Sequence, residues 1–432
     1  MKKRLVLISG VWLAFTGFAA AQEASWQDNL TTKFFVETRY GARIYNQDYE
    51  KNTSIAEARL HSEASYDASL FSTQFSADFI YDNVLDHISQ DYESGEGYID
   101  LREANISFSP ADFMDVKMGR QIVTWGTGDL LFINDIFPKD WNAFFIGRDD
   151  AYLKAPSDAL KTSLYSSYVN FDVVYMPNHE SSRYIDGSRL SFYSPMLSDI
   201  SGQDDAILKA KNEYDDEVAV RAYKNLGSAE LAAYYFKGFY QTPQGMDAYG
   251  NFIFPKLEEY GASLRSPFLG GIASLEAGYY NSLQDSSGSN PAIINSQFKY
   301  LIGFEKEVWS EFTLGAQFYV EHMQDYDNYL ANLPLGSVIE DENRQVITLR
   351  LTQMLLKQKL ILSLFNYYSP TDEDGYVRPK ISYKVSDNFN MEIGGNIFWG
   401  KKQDINGNYI SPTFFGQFTD NSNVFAGIRY YW

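Results

Sequence analysis

Apolar and polar side chains alternate with a period of two residues through most of this chain. Between 33 and 45, one face carries Phe34, Val36, Thr38, Tyr40, Ala42 and Ile44, and the other carries Glu37, Arg39, Gly41 and Arg43. Successive side chains of a β-strand point to opposite sides of its sheet, so this segment predicts a strand with one apolar and one charged face.

Eighteen segments of this character follow one another. They lie near 33–45, 54–67, 70–82, 98–109, 113–125, 159–167, 169–177, 215–225, 228–240, 256–266, 271–284, 295–306, 310–324, 342–355, 358–369, 375–386, 388–400 and 422–432. The pair at 159–177 is the weakest, which makes 16 strands the alternative. The connections alternate between short turns and longer loops, as in bacterial outer-membrane barrels.

These strands require closure. In the hydrocarbon core of a bilayer every backbone N–H and C=O must be bonded internally, and a closed barrel leaves no free edge. We therefore predict an all-β fold, a transmembrane antiparallel up-and-down β-barrel of about 18 strands. It forms one domain over 22–432, with both termini on the periplasmic side.

The N-terminal segment predicts export. Basic residues at 2–4 precede an apolar stretch at 5–18 and three alanines at 19–21, the layout of a cleaved signal peptide over 1–21. The alternative is an uncleaved anchor helix, for which the apolar run is short. The last segment ends in Trp432, which resembles the terminal signal read by the barrel assembly machinery. The expected location is the outer membrane of a Gram-negative bacterium.

The composition of the chain limits the classes of partner that it can bind. With 36 basic and 56 acidic residues the net charge is −20, which argues against a basic nucleic-acid-binding face. The chain has no cysteine and so no disulfide framework. The expected partners are outer-membrane lipid, lipopolysaccharide, the assembly machinery and a small polar solute, and an oligomer is left open. Acidic clusters at 82–96 and 199–216 either bind divalent cations shared with lipopolysaccharide or are simply solvated.

Charged side chains on the strands are expected to face the lumen, because a basic residue facing lipid at the midplane costs about 2–4 kcal/mol. The predicted pore-lining residues are Arg39, Arg43, Arg59, Glu276, Glu305, Glu321, Arg344, Arg350, Arg378, Lys380, Lys384 and Arg429. Closure would unite the basic residues of the last and first strands into a basic wall, interrupted by Glu392. The three glutamates would form an acidic wall, and opposed walls create a transverse field. The alternative is that these charges only pair with one another across strands.

The long connection 126–158 is too apolar for a solvated loop. We expect it to fold into the barrel and to narrow the lumen; the alternative is an external cap. The residues that would line such a constriction are Asp129, Asp135, Lys139, Asp140, Arg148, Asp149, Asp150 and Lys154.

One short motif carries a resemblance. Gly119-Arg120-Gln121, Trp125-Gly126, Asp135 and Pro138-Lys139-Asp140 resemble a motif of the alginate-export-like and related uncharacterised proteobacterial porin families. The resemblance implies a channel and does not indicate a substrate. The orientation of Arg120 stays open, since its strand departs from clean alternation.

The function that the pattern favours is a porin-like channel for diffusion of small polar or anionic solutes. A sheath around an electron-transfer or export partner is the alternative. A hydrolase is less favoured, because the sequence has no Gly-x-Ser-x-Gly elbow and no zinc-binding histidine pair around His61, His87, His179 or His322. No enzyme activity, cofactor or metal is expected.

Overall fold

The computed structural model describes residues 26–45, 50–85, 90–92, 94–195, 197–202, 208 and 210–432. The predicted signal peptide, 1–21, lies outside the described residues. So do His87 and four residues of the acidic clusters, Asp86, Glu93, Asp204 and Asp205.

Eighteen antiparallel strands form one closed sheet. They are β1 Leu30–Arg43, β2 Thr53–Asp67, β3 Ser72–Asp82, β4 Ile99–Ala111, β5 Met114–Gln121, β6 Ser157–Leu164, β7 Asn170–Met176, β8 Glu217–Leu226, β9 Ala229–Phe239, β10 Lys256–Phe268, β11 Gly271–Ser282, β12 Gln297–Trp309, β13 Phe312–Met323, β14 Asn343–Leu355, β15 Leu360–Ser369, β16 Asp374–Lys384, β17 Phe389–Gly400 and β18 Asn423–Tyr431. The last strand pairs with the first, from Phe35 opposite Tyr431 to Arg43 opposite Asn423.

The predicted barrel is therefore confirmed, and the alternative of 16 strands is wrong. Each of the eighteen predicted segments corresponds to one strand, including the weak pair at 159–177. The largest boundary error falls on 113–125, because β5 already ends at Gln121. The long connection that follows consequently runs over 122–156 and is named the lumen loop below.

Short turns such as 68–71 and 227–228 alternate with long loops such as 122–156 and 177–216, so the barrel has a short-turn end and a long-loop end. The long loops carry two short α-helices, α1 Trp141–Ile146 and α2 Tyr326–Asn332, and the 3-10 turns Asp150–Leu153 and Gly416–Asn421; another 3-10 turn, Trp26–Asn29, precedes β1. Within their described residues they also carry three small hairpins: Phe192–Ser194 with Asp199–Ser201, Gly245–Met246 with Phe252–Ile253, and Gln403–Ile405 with Asn408–Ile410. Among the residues described, no helix combines the length and the apolar content needed to cross a membrane.

The outward positions of the strands form an apolar belt, because the period-two pattern places one side chain in two on this face. Val36, Leu60, Ile302, Ile381 and Ile428 are examples, each more than a third exposed. Exposed aromatic side chains lie towards both ends: Tyr40, Tyr81, Tyr175, Tyr260 and Trp399 at the long-loop end, and Phe113, Tyr168, Phe268, Trp309 and Trp432 at the short-turn end. An apolar belt between two aromatic girdles is the exterior of a transmembrane barrel.

Candidate functional site: the lumen loop and the inner wall

The lumen loop lies inside the barrel. Its helix α1 buries Phe144 and Phe145, which are 1% and 3% exposed. The Phe145 ring lies 5.1 Å from the Phe398 ring of β17 and 5.2 Å from the ring of Phe418, in the last long loop. This packing explains why the loop is so apolar: its hydrophobic side chains complete a core inside the barrel.

The partner of this core on the wall is a group of aromatic side chains at inward positions of the last strands. Tyr367, Tyr376, Phe398 and Phe425 are each buried to 3% exposure or less. Tyr376 and Phe398 stack with their ring centroids 4.6 Å apart. Charged side chains were expected on this wall, and its apolar half was not predicted from the sequence. A signal was present in β16, because Tyr376 lies on the same face as Arg378 and pairs in register with Tyr367 and Phe398.

Hydrogen bonds at both ends of helix α1 fix the direction of the charged part of the loop. Asp140 caps its first turn by accepting a hydrogen bond from the Ala143 N–H at 2.7 Å. Gly147 ends it in the left-handed conformation, with φ of 89°. The Gly147 carbonyl then accepts a hydrogen bond of 2.6 Å from Arg39 of β1. The chain direction after α1 is thereby fixed against the wall.

Two aspartates that follow this turn bind the basic wall. Asp149 lies 3.3 Å from Arg429, and Asp150 lies 2.5 Å from Arg378 and 3.7 Å from Lys380. Burial by itself would raise the pKa of both carboxyls, but the guanidinium groups of Arg429 and Arg378 outweigh it and hold each pKa below its ordinary value. Both aspartates are therefore ionised near neutral pH.

A third aspartate makes the same kind of contact at the start of the loop. Asp129 pairs with Arg350 of β14, with a Nη2 to Oδ1 distance of 2.8 Å. The neighbouring carbonyl of Leu130 accepts a hydrogen bond from the hydroxyl of Tyr367. The side chains of Asp129 and Arg350 remain 39% and 27% exposed, so this pair faces open lumen.

Glu276 of β11 anchors the loop on the opposite side. Its carboxylate accepts hydrogen bonds from the backbone N–H groups of Thr127 at 3.0 Å, Gly128 at 3.1 Å and Asn134 at 2.9 Å. It is 4% exposed. Glu276 thus holds the loop instead of lining an open acidic wall, which differs from the expectation.

Arg148 connects the loop to a buried ion network on the first strands. Its Nε donates to Glu57 at 3.0 Å, and Glu57 also pairs with Arg59 at 2.7 Å. Arg59 reaches Asp78 at 3.0 Å, and the Tyr152 ring lies 4.0 Å from its guanidinium. Arg59 is 2% exposed, so it is a structural ion and does not face open lumen.

Three residues expected at the constriction are buried in the loop's own fold. Asp135, Lys139 and Asp140 are 6%, 3% and 2% exposed. Lys139 pairs with Asp135 at 3.1 Å and donates to the carbonyl of Phe137 at 2.6 Å, and Asp140 pairs with Arg183 at 3.1 Å. Burial of the lysine lowers its pKa, and this outweighs the opposing effect of Asp135. Their charges stabilise the loop, because a buried charge is retained only when paired.

The other predicted residues occupy varied positions. Lys154 donates to the Thr124 hydroxyl at 2.8 Å. Arg43 is buried and donates to the carbonyl of Arg189 at 2.5 Å, whereas Arg344 pairs with Asp372 at 2.7 Å. Glu321 pairs with Lys299 at 3.4 Å, and Lys384 with Asp387 at 3.0 Å. Glu305 is exposed at the inward face of β12.

Two charged residues of β4 face the inside of the barrel although the sequence did not predict them there. Arg102 of β4 donates to the carbonyl of Lys154 at 2.7 Å, and Asp100 of the same strand pairs with Arg183 at 2.7 Å. Arg120, left open in the sequence analysis, is buried and pairs with Glu180 at 3.1 Å. The register of β4 against β3 shifts at Arg102, so parity alone does not place Asp100 and Arg102 on the inner face, and their partners lie in loops.

Nothing in the described residues suggests a metal centre: no group of three histidine, cysteine, aspartate or glutamate side chains there is placed to hold an ion. The three described histidines bond to Asp78, Glu217 and Asn343 through Nδ1, at 2.8, 3.1 and 2.9 Å. None of these contacts links a histidine to a serine hydroxyl, as a hydrolytic triad would require.

Comparison with known proteins supports the fold. No family model and no curated protein matches the sequence. Among solved structures, Acinetobacter baumannii OccAB4 superposes with a TM-score of 0.55 at 11% identity, over 94% of this chain and 98% of that chain. Pseudomonas aeruginosa OccK11 (OpdR) gives 0.54 at 8% identity, over 94% and 96%, and P. aeruginosa OccD3 (OpdP) gives 0.54 at 9%, over 94% and 91%.

These structures are outer-membrane porins, so the chain has the porin-like barrel fold that its sequence predicts. The fold and the apolar belt are consistent with the outer membrane. At such low identity the likeness does not extend to a solute.

Proposed function

We propose that the protein is a porin-like channel through which small polar solutes, anions among them, diffuse past the lumen loop. The observation that carries the proposal is the row of ion pairs between loop and wall: Asp129 with Arg350, Asp149 with Arg429, and Asp150 with Arg378. The three aspartate side chains are 33% to 39% exposed. A passing solute therefore meets carboxylates on the loop side and guanidinium groups on the wall side.

The pairing also limits selectivity. Arg39 is bound by Glu37 at 2.8 Å and by Glu392, and the loop aspartates neutralise Arg429, Arg378 and Arg350. These pairings support both alternatives drawn from the sequence, a basic wall and charges that satisfy one another. Arg378 and Lys380 share the single carboxylate of Asp150, so one positive charge at this point is not neutralised. We therefore expect a preference for anions that is moderate and not strong.

The reversal potential of purified protein in a planar bilayer under a salt gradient tests this proposal. Lys380→Glu is expected to move the reversal potential towards cation preference, because the side chain is 19% exposed beside the row of pairs. Lys401→Glu makes the same charge change in an outer loop, where the lysine is 63% exposed, and should have a much smaller effect.

Equal shifts from the two variants would place selectivity in the outer loops and contradict the proposed path. A stable absence of conductance in wild-type protein would contradict the channel itself. The sheath alternative is less favoured, because the lumen loop occupies the space that a partner would need. Lipopolysaccharide, the assembly machinery and an oligomer stay predictions from the sequence.

A further inference from the structure

One acidic side chain of the inner wall is buried without a visible reason. Glu259 of β10 points towards the lumen loop and is 1% exposed. Within the described part of the chain, neither of its carboxyl oxygens has a hydrogen-bond partner. An ionised carboxylate in such a place is costly, and buried carboxyl groups without a partner tend to be neutral.

The loop presents an equally unsatisfied atom to this carboxyl group. Asn134 is 0% exposed, and its Oδ1 also lacks a hydrogen-bond partner among the described residues. Asn134 Oδ1 and Glu259 Oε1 lie 1.6 Å and 2.4 Å from one point, the position that a Cβ would take on Gly261. The two oxygens are therefore neighbours, and a hydrogen atom shared between them would turn the contact of two acceptors into a hydrogen bond.

The orientation of the Asn134 amide is fixed from its other side. Its Nδ2 donates to Glu276 Oε1 at 2.8 Å and to the carbonyl of Ala262 at 3.4 Å. Rotating the amide by half a turn would place Oδ1 against these two acceptors. Asn134 Oδ1 is consequently left as an acceptor, and the carboxyl group of Glu259 lies beside it.

Glu259 and Glu276 differ in their hydrogen bonds, and this difference indicates which of the two carboxyl groups carries a proton. Glu276 accepts hydrogen bonds from several N–H groups of the loop, which suits an ionised carboxylate. Glu259, beside it, accepts none within the described part of the chain. Two adjacent carboxyl groups with such unequal surroundings divide into one anion and one neutral acid.

We infer that Glu259 carries a proton and donates it to Asn134 Oδ1, and that this hydrogen bond is an alkali-sensitive latch on the lumen loop. The inference deepens the proposed function, since it concerns the loop that would narrow the channel. Losing the proton would place a second negative charge beside Glu276 and against Asn134 Oδ1, so the loop would be released.

The other charged groups nearby do not replace that proton. Lys299 of β12 is bound by Glu321 at 3.4 Å and lies over the Tyr280 ring at 4.0 Å. Lys139 on the loop is paired with Asp135. Tyr234 of β9 shares its hydroxyl with Ser263 at 2.9 Å, and the Tyr280 hydroxyl donates to the carbonyl of Ile133.

Thiol accessibility tests the latch without relying on conductance. The chain has no cysteine, so Leu131→Cys places a single thiol in the lumen loop. The rate of its reaction with a methanethiosulfonate reagent is measured from about pH 6 to about pH 10 with and without Glu259→Gln. The glutamine amide donates to Asn134 Oδ1 at every pH, and the ratio of the two rates cancels the ionisation of the thiol itself.

Near neutral pH, Leu131→Cys should react at the same rate with Glu259 and with Glu259→Gln. At about pH 10, the protein that keeps Glu259 should be labelled about tenfold faster than the Glu259→Gln variant. Glu305→Gln, the same change at an exposed inward position, should keep the wild-type profile. Asn134→Ala removes the acceptor, so its thiol should be labelled fast at every pH measured. This variant replaces Glu259→Gln if that variant does not assemble into the barrel.

Identical profiles for wild type and Glu259→Gln would overturn the latch. Faster labelling at neutral pH after a chelator is added would also overturn it, because a bound cation would then hold the two oxygens together. Since labelling reports the loop directly, a protein that never conducts but shows the expected profile would refute the channel and keep the latch.

Discussion

Asp150 balances two cations, and its charge should control selectivity at the level of the lumen loop. Asp150→Asn keeps the shape of the side chain but leaves Arg378 and Lys380 without their carboxylate. We expect a clear shift of the reversal potential towards anions, opposite in sign to that of Lys380→Glu. The lost charged hydrogen bond should also cost roughly 1.5–3 kcal/mol of stability, less the part that solvent screens.

Asp404→Asn is the control for this prediction, because Asp404 lies exposed in an outer hairpin. An equal anion shift from Asp404→Asn would mean that the outer loops set the potential. A shift confined to Asp150→Asn would support a path along the row of ion pairs.

Parity indicates which face of a strand a side chain occupies, but it does not indicate whether water reaches that side chain. Arg59 and Lys380 both occupy inward positions, yet Arg59 is 2% exposed whereas the Lys380 side chain is 19% exposed. The difference arises because Tyr152 and Arg148 of the loop cover the first strands. Glu259 was missed for the same reason, since its surroundings are made by the loop.

Gly147 should decide whether the lumen loop can follow its course after α1. A Cβ on this residue would lie 2.3 Å from the Phe425 ring, and φ of 89° is unfavourable for alanine. Gly147→Ala is therefore expected to displace α1 and to lower the midpoint of chemical unfolding. The conformational part of the loss is about 1–2 kcal/mol, and the clash adds to it.

Gly227→Ala separates these two contributions. Gly227 has φ of 63° in a short turn, and no atom lies within 4 Å of its hypothetical Cβ. Gly227→Ala should therefore lose only the conformational part of the free energy of unfolding. Equal losses from the two variants would mean that Phe425 adapts freely and that the contact does not position the loop.

The barrel strands could be predicted because successive side chains of every strand point to opposite faces. Lipid on one face favours apolar residues and water on the other favours polar residues, so the sequence alternates. The lumen loop follows no such period. Its apolar composition indicated burial, but the bonds of Glu276 to Thr127 and Gly128 join residues far apart in sequence. No local pattern encodes such contacts.

Acid should weaken the whole molecule through the row of ion pairs. Asp149 and Asp150 have pKa values below the ordinary value of 3.8, because Arg429 and Arg378 outweigh the effect of burial. A carboxyl with a lowered pKa binds fewer protons in the folded than in the unfolded protein. Its contribution to stability is therefore complete above that ordinary value and is lost as the pH falls through the folded pKa.

The measurement is the thermal midpoint in detergent, followed by circular dichroism from about pH 7 to about pH 3. The wild-type midpoint should stay level down to about pH 5 and then fall. The double variant Asp149→Asn, Asp150→Asn should start lower and fall less, so that the two curves converge in acid. Parallel curves would show that these aspartates do not couple the loop to the barrel. Convergence would mean that the carboxylates of Asp149 and Asp150 hold the loop against the wall. Together with a Glu259 latch that alkali releases, the loop would then be held most firmly between the two extremes of pH.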